Sequence, residues 1–176
     1  LQTERRDGSS YTLRAAYHRT WLNSLGAELL VSGEIGNRPA FAVDFYQPLD
    51  PAQRFFAEAY YSFNRHDQGI YQSNDSLAMY QTDVQRLGLH LGANVGVLGQ
   101  VRLGWLKERK DTSLETGLPL LPGGHVDNRG WVASLDLDQF DQRWFPNKGW
   151  KSEVRYVKYT QIDYDRLDIN LEGAYT

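Results

Sequence analysis

Along most of this chain apolar and polar residues alternate one for one. Leu87, Leu89, Leu91, Ala93 and Val95 share one parity, and Gly88, His90, Gly92, Asn94 and Gly96 the other. A period of two belongs to pleated strand, whose successive side chains leave opposite faces. Glycines gathered on one parity also argue against a helix. The pattern returns with Trp131, Ala133, Leu135 and Leu137 against Val132, Ser134, Asp136 and Asp138. It breaks at Asp141-Gln142-Arg143-Trp144-Phe145-Pro146-Asn147-Lys148-Gly149, then resumes with Trp150, Ser152, Val154 and Tyr156 against Lys151, Glu153 and Arg155. Proline has no backbone N–H and glycine accepts positive φ, so the break predicts a chain reversal between two strands.

Applied throughout, the pattern predicts nine strands after a polar lead. The first covers about Tyr11 to Leu22 and turns at Asn23-Ser24; the second covers about Leu25 to Ile35. The third carries Phe41, Val43 and Phe45 and turns at Pro48-Leu49-Asp50-Pro51. The fourth carries Phe55, Ala57, Ala59, Tyr61 and Phe63. Polar residues from Asn64 to Ser76 form a loop or the tip of a long hairpin, and about Lys110 to Val126 reads as the longest connection. The sixth strand shows Val101, Leu103 and Trp105, and the ninth Leu167, Ile169, Leu171 and Tyr175. Short turns then share one rim and longer connections the other, the habit of outer-membrane barrels. Nine is odd where bacterial barrels are even, so the chain reads as a single-domain piece, residues 1–176, of a larger wall.

The other parity is charged. Glu28, Asp44, Glu58, Arg102, Glu108, Asp136, Asp138, Arg155 and Glu172 all fall on it, with Arg14, Glu34, Arg54, Lys151, Glu153 and Asp168. Two architectures share this period. A barrel in lipid turns the apolar parity outward and lines a hydrated lumen with the charges. A soluble sandwich buries the apolar parity and solvates the charges. Carboxylates spread over most of the strands favour solvation over paired acid–base catalysis. Acidic residues outnumber basic ones, so a pore lined by them would mildly favour cations.

Composition narrows the field. No stretch approaches the roughly 20 apolar residues of a membrane helix, but a barrel wall needs only alternate apolar positions. Five Trp and 11 Tyr suit interfacial girdles. The absence of Cys removes disulfides and thiol chemistry, and a net charge of −3 argues against nucleic acid as partner. His18, His66, His90 and His125 lack metal-ligand spacing. His18 and His90 are expected in the lumen and His66 and His125 in loops. Gly123-Gly124-His125 has no strand–loop–helix context for a phosphate cradle. No cofactor is implied.

Five stretches together carry a family resemblance: Tyr17 to Leu29, Phe41 to Asp50, Arg86 to Gly92, Gly99 to Trp105, and Asp141 to Gly149. They resemble the sixteen-stranded outer-membrane barrels of the bacterial assembly insertases and two-partner secretion transporters. The chain is most similar, over nearly all its length, to the C-terminal surface-antigen barrel of patatin-like phospholipase autotransporters. Asp141, Arg143, Phe145, Pro146 and Gly149 match the superfamily's periplasmic turn, and Asp44 to Asp50 matches the patatin-like branch. The resemblance implies an all-β, antiparallel up-and-down meander in the bacterial outer membrane. It implies a non-catalytic translocator or anchor that displays or secretes an upstream lipase, with a POTRA domain upstream as well. Insertase or two-partner transporter is the alternative within the superfamily, and a soluble ligand-binding β-barrel the alternative outside it.

Three departures accompany the resemblance. The superfamily's Arg-Gly-Phe/Tyr loop tip has no match, the usual terminal aromatic is missing at Ala174-Tyr175-Thr176, and no Gly-x-Ser-x-Gly nucleophile elbow occurs. All three fit a piece holding about strands two to ten. The expected partners are outer-membrane lipid, the upstream domains and, through two open sheet edges, a second copy.

Overall fold

The computed structural model describes residues 12–36, 38–72, 75–120, 122–141 and 147–175. Their strands are β1 (Thr12–Arg19), β2 (Glu28–Gly36), β3 (Ala40–Pro48), β4 (Phe55–Gln72), β5 (Asp75–Asn94), β6 (Gly99–Gly117), β7 (Gly124–Asp138), β8 (Lys148–Tyr159) and β9 (Asp165–Tyr175). Each is hydrogen-bonded to the next in sequence order, giving one nine-stranded antiparallel meander. Among the described residues β1 and β9 are edges, so the sheet does not close.

Register keeps the two parities apart. Ala57 pairs with Leu91, Leu91 with Leu103 and Leu103 with Ala133, so the apolar parity forms one continuous face. A one-residue slip would mix the faces. This apolar face is the open one: Leu13, Leu91, Leu103, Ile169 and Leu171 are 59–71% exposed, and no second layer covers them among the described residues. A sandwich buries such residues, whereas this sheet buries side chains of the polar parity. Phe56 and Val157 are 0% exposed, Tyr80 2%, Val132 4%, and Val84 and Leu106 6%.

Curvature explains the inversion. One hollow of about 380 Å³ is lined by Glu58 and Tyr60 of β4, His90 of β5, Arg102 of β6, Asp136 of β7 and Arg155 of β8. In a flat sheet β4 and β8 would stand roughly 19 Å apart at about 4.8 Å per strand. Sharing a hollow requires the sheet to curl around its polar face. Curling crowds that face, and Leu106, Val132 and Val157 meet there as a small apolar cluster with Tyr159 against it. The expectation of a charged inner face is corrected on this point, because charges line part of it and packed apolar side chains the rest.

Several boundaries also differ from expectation. Lys110 to Val126 is mostly strand, since β6 runs to Gly117 and β7 starts at Gly124. Of the two readings of the polar stretch after Phe63 the long hairpin holds, with β4 running to Gln72 and β5 starting at Asp75. His66 on β4 and His125 on β7 are therefore strand residues and not the loop residues expected. Cross-strand partners hold these polar segments in the ladder, as with Arg65 and Asp83, whose side chains meet at 2.7 Å. The rim asymmetry is therefore carried by strand length. β4, β5 and β6 have 18, 20 and 19 residues against 8 and 9 in β1 and β2, and a strand needs only about 9–11 to cross a membrane. The first turn starts earlier than Asn23, with Asn23 Oδ1 accepting the amides of Leu25 and Ala27 at 3.0 and 3.2 Å.

Candidate functional site: the polar wall

The densest chemistry lies on the polar face of β3 to β8. Arg102 is its hub. Its guanidinium lies 3.1 Å from Glu58 Oε2 on β4, bonds Asp136 on β7, and donates to Gln100 Oε1 at 2.6 Å. The Nε–H does not point at Glu58, so that contact is an ion pair and not a hydrogen bond. The same guanidinium sits 5.7 Å over the Phe56 ring, within cation–π reach. Asp44 lines the hollow that Tyr46, Glu58, Asn94, Gln100 and Arg102 also border. Three carboxylates thus surround one guanidinium on a curled wall, which leaves the cluster an excess of negative charge.

His90 stands beside this cluster. Its Nδ1 is 3.8 Å from Glu58 Oε1, beyond hydrogen-bond reach, and neither ring nitrogen has a hydrogen-bond partner. Packing holds the ring instead, with Tyr60 at 5.4 Å between centroids and Gly104 beneath it. A Cβ at Gly104 would lie 2.1 Å from His90 Cδ2. The pattern repeats along β5, where a Cβ at Gly88 would lie 2.1 Å from Tyr60 Cε1 and one at Gly92 2.2 Å from Phe56 Cζ. Each glycine is a seat for a ring from the adjacent strand, which accounts for glycines on one parity alone.

The other charges expected on this face lie in separate pairs. Glu28 meets His18 at 2.9 Å, Arg14 meets Glu34 at 2.6 Å, and Glu108 meets Arg86 at 2.6 Å. Arg155 borders the Arg102 hollow and lies opposite Asp168 on β9. Glu172, exposed on the edge strand, accepts from Asn170 at 3.0 Å. Asp138 accepts the Phe140 amide at 3.1 Å, so it caps the strand end and stands outside the hub. Arg54 bonds Asp50 in the β3–β4 turn at 2.9 Å.

At the predicted reversal Asp141 Oδ1 accepts the amides of Asn147 and Lys148 at 3.0 and 3.1 Å, and Gly149 takes φ +125°. Arg143, Phe145 and Pro146 lie outside the described residues. A second carboxylate does similar work in the turn expected at Asp50-Pro51, where only the side chain's part as acceptor is new. Asp50 accepts the amides of Arg54 and Phe55 at 2.8 and 3.0 Å, and the Phe55 amide first, then the Arg54 side chain, hold its pKa below the usual carboxylate range. The signal available was Asp before Pro in a turn. Among the described residues no group of His and carboxylates is arranged to hold a metal ion.

No family model matches the chain, and no curated protein matches it. Its fold is similar to that of BamA from Haemophilus ducreyi, solved without POTRA domains 1–3. The TM-score is 0.70 at 11% identity, over 92% of this chain and 34% of that one. The likeness is one of fold, and the chain spans about a third of the matched chain's length.

Proposed function

We propose that this chain is a stretch of wall in a bacterial outer-membrane β-barrel whose work is protein translocation or surface anchoring. One observation carries the reading: the apolar parity of a curled meander is bare, while the polar parity is packed and charged. That is the polarity of a barrel in lipid. The apolar stretch on β4, Phe55 to Phe63, rises about 26 Å along the strand, or roughly 20 Å once tilted by about 40°, close to an outer-membrane hydrocarbon layer. The unpaired edges of β1 and β9 call for further wall, because backbone groups in hydrocarbon need partners.

Within that reading the chain is the translocator of a patatin-like phospholipase autotransporter, holding or passing an upstream lipase. The sequence stretches from Tyr17 to Gly149 support this branch. A barrel for outer-membrane protein assembly is the second reading, favoured by the fold likeness to BamA. Either mechanism is physical: a hydrogen-bonded wall separates polar chain from lipid, and Asp44, Glu58, Asp136 and Arg102 solvate the inner surface.

The test uses the complete protein in cells. Under the first reading, shaved intact cells lose a lipase domain to added protease, and deleting residues 1–176 retains that domain inside. Under the second, no domain is exposed and depletion lowers the amount of other barrels in the membrane. Extraction into aqueous buffer without detergent, with gel mobility indifferent to heating, would end both readings.

A further inference from the structure

The bare apolar face is not uniform. A groove of about 610 Å³ runs down it, lined almost wholly by apolar surface. Ala57 and Ala59 are its floor, Leu89 and Leu91 flank them, and Trp105 and Trp131 border it toward the long-hairpin rim. On β6 to β8, level with the tryptophans and immediately beyond them, the same outward parity turns cationic, while β4 and β5 stay apolar with Tyr61 and Leu87. Trp105 pairs with Trp131 and Trp131 with Lys158, and one outward position further Lys107 pairs with Arg129. These three cations share a single carboxylate within ion-pair distance. Asp127 lies 3.3 Å from Lys107 Nζ and 3.7 Å from Arg129 Nε, and Lys158 has none among the described residues. Asp165, opposite Lys158, accepts the Tyr156 hydroxyl at 2.6 Å.

We propose that this groove and the cations above it form a site for a phospholipid of net negative charge in the leaflet at the long-hairpin rim. One acyl chain lies over Ala57 and Ala59, against Trp105 and Trp131. The phosphate meets Lys107, Arg129 and Lys158. Two separate observations agree on this occupant. The missing side-chain volume at two alanines fits a slender chain, and the surplus positive charge lies where tryptophans mark a membrane interface. Near a membrane surface each basic residue strengthens attraction to anionic lipid about fivefold. Trp105 and Trp131 position the headgroup by fixing the depth at which apolar wall gives way to charge.

The inference rests on the apolar face meeting lipid, and one experiment separates the two. The complete protein, with every tryptophan except Trp105 and Trp131 replaced by phenylalanine (W21F, W144F and W150F within these residues), is reconstituted into phosphatidylcholine vesicles doped with chain-brominated phosphatidylglycerol or chain-brominated phosphatidylcholine. Bromine quenches the remaining tryptophans on contact. The site predicts quenching by the anionic lipid at a mole fraction at least tenfold lower. Adding K107Q, R129Q and K158Q brings the two lipids to within about twofold, while heat-modifiable mobility reports an intact barrel. Adding A59L instead weakens quenching by both and keeps the anionic preference. Equal quenching by the two lipids, or an anionic preference that survives loss of the three cations, overturns the site and leaves the membrane reading standing. Quenching by neither lipid overturns the membrane reading beneath it.

Discussion

The centre of this sheet and its margins are built from the same alternation yet held by different forces. In β4 to β6 a ring from one strand sits on a glycine of the next, Tyr60 on Gly88 and Phe56 on Gly92, and Arg102 ties β4 to β7 through Glu58 and Asp136. In β1 every residue is exposed, and in β9 all but one. These margins keep the ladder of backbone hydrogen bonds and a few exposed polar pairs, such as Arg14 with Glu34 and Tyr156 with Asp165. The lesson is that a pleated period gives each strand two faces, but cohesion between strands comes from side chains that interlock across them. The curled centre does this for itself, and the margins have no further strand beside them among the described residues.

The largest effect that would break this contrast is at Phe56. Phe56→Ala empties a fully buried site and is expected to cost about 3–5 kcal/mol, read as the shift in urea midpoint for the protein in lipid vesicles. Leu30→Ala, on the polar face of β2 and 43% exposed, is expected to cost under about 1 kcal/mol. Equal costs would mean that the centre is no better packed than the margin.

Next in size is the test of facing. Leu89→Arg on the bare apolar face of β5 is expected to cost about 2–4 kcal/mol in lipid, while Ser32→Arg on the polar face of β2 stays within about 0.5 kcal/mol. Refolding yield in vesicles measures both, and the reverse order would exchange lipid side for water side.

Arg102 comes third. Arg102→Ala leaves Glu58 and Asp136 without their shared cation and is expected to cost about 2 kcal/mol. Arg14→Ala breaks a pair whose arginine is 77% exposed and is expected to fall below about 1 kcal/mol. Denaturation midpoints of the two variants give the ratio directly.

The smallest effect lies at the turn joining margin to centre. Because the Phe55 amide, and then Arg54, lower the Asp50 pKa on folding, its carboxylate contributes stability that is fully present above the unfolded value of about 3.9. That stability is lost as pH falls through the lower folded value. The difference in unfolding midpoint between the protein and Asp50→Asn should therefore be constant near neutrality and shrink at acid pH. A difference that grows on acidification would reverse the assigned cause.

That consecutive strands pair was an expectation from the resemblance, which the sheet order bears out. Alternation alone determined the nine strands and the separation of Leu89 from His90 onto opposite faces, because a period of two is written residue by residue. The reversal after Asp141 and the carboxylates of the polar parity were legible for the same reason. Where the strands end was not: the stretches Asn64 to Gln72, Lys110 to Gly117 and Gly124 to Val126 are polar in composition, yet pairing with a long neighbour keeps them extended. Nor did composition reveal that Glu58, Arg102 and Asp136, drawn from three strands, would share one cluster while Glu108 and Glu28 formed pairs elsewhere. Register and curvature made those assignments, since both depend on which residues lie opposite one another after the sheet has curled. The glycine seats show the division plainly, for the one-sided glycines were visible in the chain, but the rings that fill them come from neighbouring strands.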